Sequence, residues 1–416
     1  TSDGTFAFGR AGFDFFISNR NTLSISSNFG GGNFDFSDQN TIRYDTLAVI
    51  TNEIRNTKGI NRFRSLGGQI GYKHNFPKPG KELTADINYN RSKSENDQDI
   101  FFVQFDETGV PLNKSGSQLV DAGGQNKLLV GQVDYVNPIN ENMKWETGAR
   151  SQVRWFESFQ LNTFNNVFLP RLSNEFEYVD YVHAAYVNYS QKIKKANFNY
   201  QLGLRVESSS YDGVQIGKPG RFKNEFPLAL FPSAFISKTF KGKQDLQLNY
   251  TRRVNRPSFF QLLPNTDFSD PFNLQTGNPN LVPEFTNSLE LSYQKTYGPK
   301  NNTFLLTLFG KQTENLIARY IRPEKLAGTD SIRQISTFVN ATTAYAAGLE
   351  IVFRNTIAKW WEINYNANFY YSKINGVDSI PGLENERNSF FLKFNNTFRI
   401  GKGWTAQLSG DYNSRS

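Results

Sequence analysis

Residue-by-residue alternation of apolar and polar side chains, sustained along the chain, is what most restricts its fold. In 83–91 the odd positions are Leu83, Ala85, Ile87 and Tyr89, and the even ones Thr84, Asp86, Asn88 and Asn90. Leu246, Leu248 and Tyr250 alternate with Gln247, Asn249 and Thr251, and Leu289 and Leu291 flank Glu290. Ile363, Tyr365, Ala367 and Phe369 alternate with Asn364, Asn366 and Asn368; Ala406, Leu408 and Tyr412 alternate with Gln407, Ser409 and Asp411. Successive side chains of a strand point to opposite faces, so each segment presents one apolar and one strongly polar face. About sixteen segments fit this template, and no run of helical period competes with them.

The connections sort into two classes. Tight turns rich in Asn, Gly, Lys and Pro fall at 19–21, 77–81, 137–142, 194–197, 241–243, 298–302, 358–359 and 401–403. Between them lie long polar stretches, at about 29–65, 92–126, 157–180, 210–229, 254–285, 322–336 and 376–388, read as loops. Short and long connections alternate, as in an up-and-down barrel whose one rim faces the periplasm and the other the exterior. Segments such as 5–18, 143–156, 303–321 and 345–356 are long enough for a tilted membrane crossing, which takes about ten residues. Trp145, Trp360, Trp361 and Trp404 stand near turns, where an interfacial girdle belongs. A soluble sandwich would use shorter strands, of about five or six residues, and a propeller would show a repeat period. The expected fold is all-β: a transmembrane antiparallel up-and-down barrel.

Composition agrees and removes other classes. With 38 Phe, 19 Tyr and 5 Trp in 416 residues the chain is too aromatic for disorder. It has no cysteine, which removes disulfides, thiolate metal sites and cysteine nucleophiles. His74 and His183 are too far apart in sequence for a local metal motif. The net charge of +8 is spread over turns and loops rather than massed in a tract, so no nucleic-acid partner is expected. No nucleophile elbow, phosphate loop, dinucleotide fingerprint or metal cluster is present, so neither enzyme activity nor a cofactor is expected.

The segment YTRRVNRPSFFQLLPNTDFSDPFNLQTGNPNLVPEFTNSLELSYQKTYG, residues 250–298, resembles the barrel signature of TonB-dependent outer-membrane receptors, most of all the outer-membrane β-barrel type common in Bacteroidetes. Its matching positions are Arg253, Asn255, Arg256 and Pro257, then Gly277, Asn278, Pro279, Leu281, Pro283 and Glu284. GRAGFDFFISNRNTLSIS, residues 9–26, is similar to an earlier hairpin of that family, more loosely. The resemblance implies location in the bacterial outer membrane and a barrel of about 22 strands around an N-terminal plug. It implies outer-membrane lipid, the plug and TonB as partners, and leaves room for a surface lipoprotein. On that pattern the 416 residues are expected to be a partial barrel domain. The plug, about four strands before residue 1 and about two after residue 416 would lie outside it.

Three sets of residues are candidates. The signature loop carries Pro257, Pro264, Pro271, Pro279 and Pro283, each with a fixed φ and no backbone donor, so it is expected to be a stiff excursion with an architectural role. Phe101, Phe102, Phe105, Phe159, Phe164 and Phe168, with Phe259, Phe260, Phe268 and Phe272, are expected in loops, for ligand stacking or loop packing. Asp86, Asn88, Gln247, Asn249 and Glu290, with Asn364, Asn366, Asn368, Gln407 and Asp411, are expected to face the lumen and meet a plug or water. A ligand-uptake receptor is the first functional reading; a plugless porin or a surface binding barrel stays open.

Overall fold

The computed structural model describes residues 2–46, 49–170, 172–217, 221–263, 273–325, 332–376, 380, 382–401 and 403–414. In chain order the strands are β1 (Ser2–Ser18), β2 (Asn21–Thr46), β3 (Val49–Asn75), β4 (Glu82–Asp106), β5 (Pro111–Asn140), β6 (Met143–Phe164) and the two-residue β7 (Val167–Phe168). Next come β8 (Asn174–Ile193), β9 (Phe198–Gln215), β10 (Arg221–Phe240), β11 (Gln244–Asn255), the one-turn helix α1 (Phe259–Leu262) and β12 (Asn273–Gln275). The remainder are β13 (Glu284–Tyr297), β14 (Asn302–Glu314), β15 (Ile317–Lys325), β16 (Ile332–Asn340), β17 (Thr343–Ala358), β18 (Trp361–Asn375), β19 (Asn385–Ile400) and β20 (Trp404–Asn413).

One sheet holds 17 strands, and without the short β7 that leaves sixteen long ones. Each pairs antiparallel with the next long strand of the sheet in chain order, from β1–β2 through β6–β8, β11–β13 and β14–β17 to β19–β20. Among the described residues β1 pairs only with β2 and β20 only with β19, so the sheet has two open edges. The register fixes the faces. Ile70, Ile87, Gly131, Ser151 and His183 sit opposite one another in one row across β3–β8. Exposed Leu202, Leu246, Leu289, Leu308, Phe369 and Leu408 continue that outward apolar surface around the sheet. The opposite, inner face carries the buried cluster of Phe176, Tyr178, Tyr211, Phe259, Leu262 and Leu281.

The stretches expected as loops at 29–65 and 92–126 are instead continuations of strands. β2 to β5 are 25 to 30 residues long, against about ten for a crossing. Their pairing runs on to Thr46 opposite Val49 and to Phe105 opposite Pro111. The excess, roughly 15 residues or about 50 Å of strand, lies at the end away from the tight turns. Over 92–98 both faces are polar, so the apolar alternation disappears there while the ladder continues. The stretch expected as one strand at 303–321 is two. Asn315 takes a left-handed φ of 57°, and β15 leaves the large sheet to pair with β16. The 322–336 loop is in fact mostly this β15–β16 hairpin, and its β16 pairs in parallel with β12.

Candidate functional site

The signature loop folds back onto the inner wall instead of projecting outward. Pro257 is buried, and Ser258 caps α1 by accepting from Gln261 N while the Gln261 side chain accepts from Ser258 N. This turn aims Phe259 and Leu262 into the wall. The Phe259 ring lies 4.1 Å from that of Phe156 on β6 and 5.3 Å from that of Tyr178 on β8. Leu281 has no exposed surface, and its carbonyl oxygen accepts from the Tyr211 hydroxyl of β9 at 2.8 Å.

Polar contacts fasten both flanks. Arg256 forms an ion pair with Glu207, a wall carboxylate that also receives Arg205 Nη2 at 2.8 Å. Asn255 Nδ2 donates to Glu284 Oε2 at 2.8 Å, which ties the loop's entry to its exit, and Glu284 Oε1 accepts from Ile317 N at 2.5 Å. Asn278 N donates to Gln261 O at 2.7 Å, and its side chain donates to Phe338 O at 2.9 Å. Val282 N donates to Asn340 Oδ1, and Asn340 Nδ2 donates back to Val282 O and to Asn315 O. Gly277 N donates to Leu263 O at 2.9 Å, and a Cβ there would lie 2.7 Å from both Gln261 O and Leu263 N. Glycine is therefore the one residue this approach admits. Arg253 is exposed on β11 opposite Thr286, while Pro279 and Pro283 flank the buried Leu281.

Beside this loop the inner wall encloses a pocket of about 670 Å³. Its lining comes from β3 (Arg55), β4 (Ser94, Asn96, Gln98, Ile100), β5 (Gln118, Val120, Ala122) and β6 (Phe156, Ser158, Gln160, Asn162). Gly123 and Gly124 of β5, Phe159 of β6 and Leu172 before β8 also line it, as do Asn174 and Phe176 of β8 and Phe260 and Leu263 of the loop. Gln118 Nε2 donates to Asn162 Oδ1 at 3.0 Å, and Gln98 Nε2 to Asn96 Oδ1 at 2.6 Å. Arg55 Nη2 meets Glu53, a buried carboxylate, at 2.9 Å. No group of three or more His, Asp or Glu among the described residues could hold a metal ion.

The candidate aromatics scatter. Phe260, and Phe159 at its edge, line the pocket; Phe259 is buried in the cluster behind it. Phe101, Phe102, Phe105, Phe159 and Phe164 stand in strands rather than loops; Phe102 and Phe164 stack at 5.8 Å, and Phe101 is exposed. Phe168 is exposed on β7. Phe268 and Phe272, with Pro264 and Pro271, lie outside the described residues. Sequence reasoning passed over Phe156 and Phe176, whose place in alternating strands marks them only as wall residues. The ten polar candidates from Asp86 to Asp411 all lie on the inner face by register. Asp86 pairs with Gln132, Asn249 with Glu290, Asn366 with Lys393 and Gln407 with Thr397.

The outer membrane protein beta-barrel family model matches residues 74–416. No curated protein matches the chain in sequence. Among solved structures, it is similar to the alcaligin outer membrane receptor FauA from Bordetella pertussis, with TM-score 0.50 and 13% identity over 100% of this chain and 67% of that one. It is also similar to the ferric-catecholate import receptor Fiu from K12 E. coli, with TM-score 0.53 and 11% identity over 98% of this chain and 69% of that one. The siderophore receptor PirA from Pseudomonas aeruginosa gives TM-score 0.50 and 14% identity over 95% and 72% of the two chains. At these identities the likeness is one of fold.

Proposed function

Because this chain belongs to the outer membrane protein beta-barrel family, and so to the bacterial outer membrane, we propose that its strands form the wall of a TonB-dependent uptake receptor. The observation that carries this reading is the signature loop folded inward against Phe156, Tyr178 and Tyr211, with a pocket open beside it. A ligand held there is inside the wall yet above the part of the barrel that crosses lipid. The polar inner face below suits a plug that must be both held and displaced, since amide contacts are individually worth only about 1 kcal/mol. In this reading the signature residues Asn255, Arg256, Gly277, Asn278, Leu281 and Glu284 are architectural, and TonB supplies the energy through the plug.

Two further points support it. An open sheet edge in hydrocarbon leaves unpaired N–H and C=O groups at several kcal/mol each, so the edges that β1 and β20 leave open among the described residues have to be paired for the sheet to cross lipid. The chain also spans 67% to 72% of the three receptors' lengths. The test is solute uptake by cells expressing the full-length protein with and without TonB, together with conductance in a planar bilayer. Loss of uptake without TonB and a closed, non-conducting barrel are expected. Free ion conduction with TonB-independent uptake would overturn the receptor reading in favour of a plugless porin.

A further inference from the structure

We infer that the inner-wall pocket binds a neutral, hydroxyl-rich ligand, an uncharged oligosaccharide, rather than an anionic metal chelate; this rests on the receptor reading above. The charge of the lining is the first argument. Among the described residues of its lining Arg55 is the one ionisable group, and that guanidinium is already paired with Glu53 at 2.9 Å. A multiply charged anion moved into such a site would lose its hydration without gaining a counter-charge, at a cost of several kcal/mol per ion.

Hydrogen-bond capacity is the second. Gln98 and Gln118 each spend one amide N–H on Asn96 and Asn162, which leaves each with its second N–H and its carbonyl oxygen. A wall of such amides is matched by a ligand that both donates and accepts. Sugar hydroxyls donate, whereas the carboxylates and phenolates of a ferric chelate only accept. Burying these amides against a purely apolar ligand would leave them unpaired, at about 1–3 kcal/mol each. Phe156 and Phe260 supply the third element, apolar ring surface on which a sugar's C–H face can pack. The volume of about 670 Å³ lies inside the range of small-ligand sites.

The full-length protein, purified in detergent and shown to be folded by heat-modifiable gel mobility, is titrated calorimetrically with three probe sets. These are short neutral glucans, mannans, xylans and galactans; an anionic ferric catecholate chelate; and neutral oligopeptides. Binding of at least one neutral saccharide is expected, weakened roughly 2- to 13-fold by Gln118→Leu and likewise by Gln98→Leu. Gln39→Leu, on the far extension of β2, is the folded control with unchanged affinity. The inference is overturned by chelate or peptide binding that the Gln118 change abolishes, and equally by no saccharide binding in any set. Saccharide binding without TonB-dependent uptake would leave this inference standing and remove the receptor reading. TonB-dependent uptake of the chelate alone would do the reverse.

Discussion

Replacing Gly277 by alanine should loosen the signature loop while leaving the barrel intact. The new methyl would press into the Leu263 carbonyl oxygen and sit 2.7 Å from Gln261 O and Leu263 N. All three are backbone atoms held by α1, so no flexible side chain can swing away. The end of α1 and the 276–278 segment must separate, and the bonds most exposed to that are Gly277 N to Leu263 O at 2.9 Å and Asn278 N to Gln261 O at 2.7 Å. Each is worth about 0.5–1.5 kcal/mol net, so the pair places the loss at about 1–3 kcal/mol. Amide exchange limited by local opening should then quicken about 5- to 150-fold. Hydrogen exchange with mass spectrometry on peptides covering 257–263 and 273–284 reads this directly. Gly310→Ala is the control, because a Cβ there meets nothing within 4 Å and alanine in a strand interior is neutral or slightly favourable. Unchanged exchange in Gly277→Ala would refute the close-approach argument. Equal acceleration through β11 and β13 would show that the loop has no stability of its own.

Arg at Ile87, on the lipid-facing row, should cost about 2–4 kcal/mol if near the midplane, whereas Arg at Asn88, beside Asp86 at 2.7 Å, should be nearly neutral. Urea unfolding in lipid vesicles measures both, and equal penalties would mean the faces are misassigned. Arg256→Met should destabilise the loop by about 1.5–3 kcal/mol, since it removes a charged partner of buried Glu207. Most of that loss should return in Arg256→Met with Glu207→Gln, read again by exchange in 257–283; identical single and double variants would exclude the ion pair as the fastening. Cysteine at Ser117 should react with an impermeant thiol reagent on intact cells, and cysteine at Lys195 or Lys243 only after the outer membrane is opened. Labelling of the two turn positions on intact cells would invert the topology.

The sequence was legible where one side of a strand meets lipid and the other does not. Ile87 against Asn88, or Phe369 against Asn368, announces both strand and face, because register in a half-apolar sheet cannot slip without turning every side chain over. That signal vanished in 91–98, Arg-Ser-Lys-Ser-Glu-Asn-Asp-Gln, where both faces are polar and a ladder is no longer tied to alternation. The break at Asn315 did leave a trace, since asparagine tolerates the left-handed conformation better than other side-chain-bearing residues. The pocket was beyond reach for a different reason. Gln98, Gln118 and Gln160 come from three strands and become neighbours only through the register of β4, β5 and β6. The signature residues stood out as a string, but that their loop turns inward depends on Arg256 finding Glu207 some fifty residues earlier, which no local pattern foretells.

The strands are unequal around the sheet, with 25 to 30 residues in β2–β5 and 13 to 15 in β13, β14 and β18. The mouth is therefore a scoop that faces sideways, with a high back and a low lip. On the proposed uptake role, a solute crossing the lip would strike the back, so its remaining search would run over a surface instead of through open volume. Strands β4 and β5 of the high back carry part of the pocket wall themselves. Height that adds nothing to crossing the membrane thus lengthens the target that a dilute solute has to hit.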